Sequence, residues 1–299
     1  MRDDCGHIIQ VSSTEPLPAA LYTGPEAFQR ERRSIFQNAW LLLARADALC
    51  TPGDYVAQSL GGWPVFATAD ASGVPRAFRN VCRHQKLPLF DTGAGHCEQI
   101  RCRYHGWTYD TAGRFVSAPP QVAPRGELSH DLEAVAAERF HGLLFVHLDE
   151  NPPALADGQP GLAAALADAR LETLEFRTET TTDVDANWKL VMEQALADQQ
   201  SDGVRTAAWP CLLIDAAGDG VVIHQLIARS YHRTRIHHHH YGAPAVVERT
   251  AAGVVPWKSG AVARQAALEA GSVVPLPNLP ELEGFLSRVR AAHAECPLP

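Results

Sequence analysis

Two short residue pairs constrain this chain more than anything else in it: Cys82-x-His84 and, seventeen residues later, Cys102-x-x-His105. Whatever fold forms must bring the two loops together, because each offers only one thiolate and one imidazole. Two Cys and two His can hold a single zinc ion tetrahedrally, as in structural zinc sites. Three details favour a binuclear iron–sulfur centre instead. The first pair is separated by one residue, a spacing unusual for zinc modules. Each loop supplies one ligand of each kind, so a cluster can sit between them with both thiolates on one iron and both imidazoles on the other. Finally, Gly106-Trp107 follows the second His inside a stretch that reads as all-β.

That β reading comes from the alternation of short apolar runs with turn residues between Trp40 and about residue 150. The runs are Trp40–Ala44, Asp54–Ser59, Trp63–Ala69, Arg76–Val81, Trp107–Tyr109 and Gly142–Leu148, with turns at Asp70-Ala-Ser-Gly73 and Asp110-Thr-Ala-Gly113. Short strands spaced in this way indicate a small antiparallel domain. Before it, Gly24-Pro25-Glu26 leads into a helical pattern from Ala27 to Asn38. After it, Asn151-Pro-Pro153 punctuates the chain. Residues 154–174 read as helix and 175–185 as strand. A helix from Asn187 then carries Trp188, Val191, Met192, Ala195 and Leu196 on one stripe. Strands are expected at Cys211–Asp215, Val221–Ser230 and Arg233–Tyr241, and helices near 261–270 and 281–294.

Composition narrows the function classes. The chain has 299 residues, 46% hydrophobic and 20% charged, enough for a sizeable core without disulfide staples. A net charge of −8 argues against nucleic acid or an anionic membrane as partner. The longest apolar runs are far shorter than a bilayer span, and no secretory signal is visible. A cytoplasmic protein is therefore expected, in which the seven cysteines stay reduced and paired Cys are metal ligands rather than disulfides.

Cys82-Arg-His84 with Cys102-Arg-Tyr-His105-Gly-Trp resembles the Rieske domain of the Rieske non-haem iron oxygenases, the aromatic-ring-hydroxylating and choline-monooxygenase-like enzymes. The resemblance extends to Leu21-Tyr-Thr, Pro25-Glu26, Pro52-Gly53-Asp54-Tyr55, Phe78-Arg-Asn-Val-Cys82, Thr108-Tyr-Asp-x-x-Gly113 and Asn187-Trp-Lys189. It implies an α+β chain with one Rieske-type [2Fe–2S] cluster on Cys82, His84, Cys102 and His105. An all-β Rieske domain, residues 40–152, would be inserted before a helix-grip-type antiparallel sheet domain made of residues 1–39 and 153–299. One departure is local: Gln85-Lys86 stands where the family has an Arg-Gly pair. A lysine there is expected either to reshape the loop and raise the cluster's potential or to lie solvated at the rim. His96 and Cys97 lie between the ligand pairs but match no position of the motif.

The same resemblance implies a second metal, a mononuclear Fe(II) held by two His and a carboxylate. The family's two His positions fall here on Ser201 and Thr206, and its bridging acid on Asp198. No His occurs between His147 and His224. The region of the late carboxylate ligand, Trp257-Lys-Ser-Gly-Ala-Val-Ala-Arg264, has no acid until Glu269. A hydroxyl is a poor neutral ligand for Fe(II), so the mononuclear iron is expected to be absent. Asp198 and Ser201 would share a helix face, and Asp198 is read either as a contact to a neighbour's Rieske His or as a plain helix-end acid. The run His237 to His240 is expected on a surface strand with solvated imidazoles, His237 and His239 facing one way, His238 and His240 the other.

The resemblance thus implies a subunit that passes electrons from a reductase or ferredoxin, through its cluster, to the iron of a paralogous oxygenase subunit in a trimeric or hexameric ring. The reaction there would be hydroxylation or demethylation of a small organic substrate. Two other readings stand beside it: a non-catalytic structural or regulatory subunit, and a self-sufficient oxygenase with other iron ligands, such as the histidine run.

Overall fold

The first described helices in the computed structural model are α1 (Ala20–Thr23) and α2 (Pro25–Ser34). The structure describes residues 15–124, 129–149, 151–198, 203–218, 220–272, 276–277 and 279–295. In α2, Pro25 takes the first turn, Glu26 faces the positive end of the helix dipole, and Arg32 and Arg33 sit in the last turn.

Ten strands follow. They are β1 (Leu41–Arg45), β2 (Asp54–Leu60), β3 (Trp63–Ala69), β4 (Pro75–Arg79), β5 (Gly93–His96), β6 (Ile100–Arg101), β7 (Thr108–Tyr109), β8 (Phe115–Ser117), β9 (Ala134–Phe140) and β10 (Leu143–His147). Seven form an antiparallel sheet in the order β1-β10-β9-β4-β3-β2-β5, while β6-β7-β8 make a small sheet of their own. Two of these strands carry little sequence signal. The β9 sequence, Ala-Val-Ala-Ala-Glu-Arg-Phe, is rich in helix formers, and pairing with β10 and β4 overrides that preference. The β5 sequence, Gly-Ala-Gly-His, is exposed throughout and is held by its backbone pairing to β2.

The second part contains α3 (Leu155–Gly158), α4 (Pro160–Ala169), β11 (Phe176–Val184), α5 (Trp188–Ala197), β12 (Val204–Ala208), β13 (Leu212–Ala217), β14 (Gly220–Ser230), β15 (Arg233–Gly242), α6 (Ala245–Glu269) and α7 (Pro280–Glu295). Its antiparallel sheet runs β11-β15-β14-β13-β12, and α5, α6 and α7 pack together beside it. Helix α6 starts well before the expected 261, running through Gly253 and Pro256, the residues that weaken a helical pattern. No described helix is long and apolar enough to cross a membrane.

Helix α5 is buried on every side, polar residues included. The Asn187 side chain caps it by accepting from Lys189 N at 3.0 Å. Lys189 Nζ then donates to Glu31 Oε1 at 2.6 Å with both side chains fully buried, and Trp188 Nε1 donates to Glu31 Oε2 at 2.8 Å. One turn on, Glu193 accepts from the Tyr22 hydroxyl at 2.7 Å and pairs with Arg264 at 2.7 Å. Burial alone would raise the Glu31 carboxyl, but the charge of Lys189 and three hydrogen-bond donors hold it below its ordinary value. Asn187-Trp-Lys189 is thus the staple that ties α1, α2 and α6 to α5. Removing one partner of such a buried pair costs about 3–5 kcal/mol.

The histidine run departs from its expectation. Strand β15 lies between β11 and β14, with α6 on one face and Arg45 near the other. His238, His239 and His240 are accordingly 2%, 2% and 0% exposed. The alternation does follow the strand period: His237 and His239 face Glu179, whereas His238 meets His224 and His240 meets Thr180.

Candidate metal centre

The two Cys/His loops have the same backbone geometry. In the first, Cys82 N donates to Leu87 O at 2.7 Å and Lys86 N to Cys82 O at 2.9 Å. In the second, Cys102 N donates to Trp107 O at 2.8 Å and Gly106 N to Cys102 O at 2.9 Å. The fourth residue after each Cys has a positive φ, +58° at Lys86 and +69° at Gly106. Glycine takes that conformation freely, whereas in a lysine it costs about 1–2 kcal/mol. The expectation that Lys86 reshapes its loop is therefore not met: the turn is kept, and the lysine is strained instead.

These turns point the side chains of all four residues toward one place. The imidazoles of His84 and His105 meet edge to face, 4.7 Å between centroids. His84 stacks on Trp107 at 5.1 Å, and Trp107 is fixed by donating Nε1 to Val122 O at 2.8 Å. Cys82 and Cys102 are 1% and 2% exposed and lie in a separate apolar cluster with Phe66, Phe78, Leu89 and Trp107. Burial pushes the Cys82 thiol up, and the adjoining Cys102 thiol adds to the rise. Tyr109 OH lies 3.3 Å from Cys82 Sγ and accepts from Arg83 N at 3.1 Å, so it is placed to donate to a thiolate.

The donor set fits a binuclear cluster. Nδ1 of His84 and Nδ1 of His105 are buried and have no hydrogen-bond partner. Leaving two such atoms unsatisfied costs about 1–3 kcal/mol each, a cost that metal ligation would remove. Two buried thiols beside them complete a set of two thiolates and two imidazoles. Among the described residues no three His, Cys, Asp or Glu side chains converge on a single ion. A binuclear centre asks for two pairs, which is what these loops provide. His96 is elsewhere: its Nδ1 lies 3.1 Å from Asp54, and Cys97 N donates to Gly53 O.

The second domain offers a different interior. Asp198 caps the C-terminus of α5, and its Oδ2 accepts from Trp257 Nε1 at 2.8 Å. Arg205 reaches in from β12, donating Nη1 to Asp198 O at 3.0 Å and to Ala195 O at 2.7 Å. The same guanidinium grips Asp215 with two bonds of 2.8 Å and lies 4.5 Å from the Trp257 ring. Beyond Asp215 the chain of contacts continues to His224 at 3.3 Å, to His238 through an Nδ1–Nδ1 bond of 2.7 Å, and to Thr182 at 3.1 Å. Burial would raise the Asp215 carboxyl, yet Arg205 and His224 hold it well below the usual range. Thr206 lies on β12, paired with Ile214, and lines a cavity of about 420 Å³ with Met192, Trp209 and Phe285. Ser201 lies outside the described residues.

This set does not fit a mononuclear Fe(II). Its central group is a cation, Arg205, and the carboxylates near it are already bonded to that cation or to Trp257. Neither Arg205 nor Asp215 stands out in the sequence. The signal is a cross-strand pair: the two residues are directly opposite in the β12–β13 hairpin. It is legible only once Val204–Ala208, with its polar and Ala-rich sequence, is recognised as a strand.

Comparison with known proteins bears on the first of these two sites. Residues 39–136 match the Rieske [2Fe-2S] domain. The chain is 33% identical over 178 residues to the glycine betaine monooxygenase oxygenase subunit of Chromohalobacter salexigens, an alignment taking in 59% of this chain and 40% of that protein. It is 30% identical over 221 residues to the biphenyl 2,3-dioxygenase subunit alpha of Rhodococcus jostii, 71% of this chain and 47% of that protein. The matched region thus spans under half the length of these relatives. In three dimensions the fold resembles that of a quaternary ammonium Rieske monooxygenase, described for carnitine oxidation and inter-subunit electron transfer. That match has a TM-score of 0.79 at 20% identity over 92% of this chain and 94% of the other.

Proposed function

The chain belongs to the Rieske non-haem iron oxygenase family, and on that premise we propose that it is an electron-relay subunit rather than the one that activates oxygen. Cys82, His84, Cys102 and His105 hold its [2Fe–2S] cluster. Such a centre takes up and releases one electron at a time, at a potential raised by the two neutral imidazoles. The relay accepts electrons from a reductase or ferredoxin and delivers them to the non-haem iron of a paralogous subunit, which hydroxylates or demethylates a small organic substrate.

One observation carries this reading: the cluster loops keep two buried imidazole nitrogens unpartnered, whereas Arg205 fills the interior of the second domain with a cation of its own. The division of labour between the four ligands follows from exposure. The thiols are buried, while His84 and His105 are only partly covered. Electron donors and acceptors therefore approach on the imidazole side, and His84 and His105 form the exchange edge. Trp107 holds the His84 ring flat against its own. Tyr109 directs its hydroxyl at Cys82 and offsets charge on that sulfur. Inter-subunit transfer named for a structurally similar monooxygenase supports delivery to a neighbour.

The test is reconstitution with an iron-bearing paralogue and a reductase. His105→Ala in this subunit should cut the turnover of the complex, although substrate is converted in the other subunit. Full turnover with this cluster destroyed would replace the relay by the structural or regulatory reading.

A further inference from the structure

Away from the cluster loops and the Arg205 network, a cavity of about 570 Å³ opens beside the staple that ties α1 and α6 to α5. Small-molecule sites commonly measure roughly 300–1,000 Å³. Most of its wall is apolar: Leu17 and Pro18 lie ahead of α1, Leu21 on α1 and Leu268 on α6. Tyr22 and Arg264 also line it, with Arg290 and His293 from neighbouring turns of α7. None of these residues belongs to the cluster loops or to the Arg205 network.

Arg264 is the member that the packing leaves incomplete. It is 7% exposed, and its ion pair runs from Nη1 to Glu193 Oε2 at 2.7 Å. Its Nε is buried with no hydrogen-bond partner, and among the described residues no second acid pairs with this guanidinium. A guanidinium carries five N–H donors, and buried donors left unmade are costly. Burial raises the Glu193 carboxyl, which weakens the countercharge that Arg264 has. The other basic groups are better matched. His293 Nε2 lies 3.1 Å from Glu31 Oε1, and Arg290 lies 3.1 Å from Glu283 and bonds to Glu15 O.

We propose that this cavity binds a small carboxylate with an apolar tail, its two oxygens gripped by Arg264 and its tail against Leu17, Leu21 and Leu268. Arg264 offers only donors, so the ligand must present acceptors, and a carboxylate matches a guanidinium with two parallel bonds. The acids Glu15 and Glu283 both stand by Arg290, so the carboxylate end belongs at Arg264. A bare inorganic anion would leave the apolar wall uncovered, and a neutral alcohol would leave the charge unmatched. Through Glu193 and Tyr22, the occupied site adds a further tie between α1, α6 and α5.

The experiment is isothermal titration calorimetry on the full, cluster-loaded chain, with sodium hexanoate, sodium acetate and 1-hexanol as probes. Hexanoate should saturate one site per chain. Acetate lacks the tail and 1-hexanol lacks the charge, and each should bind at least about tenfold more weakly. Arg264→Lys keeps a charge facing Glu193 but loses the fork, and should weaken hexanoate binding about tenfold. Leu268→Glu, on the half-buried wall, leaves Arg264 intact, sets a like charge in the cavity and should abolish binding. Retained cluster absorption and a cooperative melt show that a variant is folded; should Arg264→Lys fail to fold, Leu268→Glu carries the test. No saturable hexanoate binding, equal binding of acetate or 1-hexanol, or unchanged affinity in either folded variant would overturn the site.

Discussion

The cluster loops and the Arg205 network at the end of α5 both gather polar side chains, and they differ in the charge of the group each brings to them. At the loops, two imidazole nitrogens face each other's neighbourhood with no partner, and two thiols lie beside them in an apolar pocket. In the second domain, Arg205, Asp215, Asp198 and Trp257 bond to one another. Buried polar atoms are costly unless partnered. The imidazole nitrogens of the loops stay open to a ligand, while a guanidinium occupies the Asp215 carboxylate and the Asp198 carbonyl. The lesson is that a cation already bonded to the carboxylates of a region sets it apart from one whose donors are neutral and open.

The sharpest way to break the comparison is at the loops. Cys82→Ser or Cys102→Ser should abolish the cluster's visible absorption and its EPR signal, because a hydroxyl replaces a strongly donating thiolate; retention of the signal would remove these residues as ligands. In the second domain, Arg205→Met should destabilise by about 1–3 kcal/mol in thermal or denaturant unfolding, since the partly buried Asp215 carboxylate loses its partner. Replacing both, Arg205→Met with Asp215→Leu, should recover most of that loss; no recovery would mean that Arg205 does not act by charge compensation.

Acid should discriminate the same region. Burial lowers His238 to about 2 and His239 to about 4 from an ordinary value near 6.5. The unfolded chain binds these protons as pH falls below about 6.5 and the folded chain does not, so stability is flat above that pH and declines beneath it. The decline should reach about 1.4 kcal/mol per pH unit for each histidine, down to about pH 4 for His239 and further for His238. Unfolding midpoints that do not move between pH 7 and pH 5 would contradict the buried neutral state. The smallest effect belongs to Tyr109→Phe. Loss of a hydrogen bond to the Cys82 sulfur disfavours the more negative reduced cluster, on the order of 1 kcal/mol, and the midpoint potential should fall by about 40 mV. An unchanged potential would show that the hydroxyl does not reach the sulfur.

Much of this was legible in the sequence where spacing carries the chemistry. The spacing of Cys82-x-His84 and Cys102-x-x-His105 marks four side chains that the structure brings to one place, and the stripe on α5 marks residues that the structure buries, Trp188, Val191, Met192 and Ala195. The rest needed pairing that a single strand does not reveal. His237 to His240 look solvated until β15 is placed between β11 and β14. The stripe leaves out Lys189 and Glu193, whose burial depends on Glu31 and Arg264 arriving from other helices. Arg205 shows no role until β12 and β13 set it opposite Asp215. Lys86 reads as a loop disruptor because its cost is small enough for the two hydrogen bonds of the turn to hold it.

The central claim, one binuclear centre and no second iron site, is tested most directly by counting iron and acid-labile sulfide per chain in protein assembled with both supplied. The account predicts two irons and two sulfides, with the EPR of a reduced cluster of mixed Cys/His ligation. A third iron per chain, or zinc with no visible absorption, would contradict it.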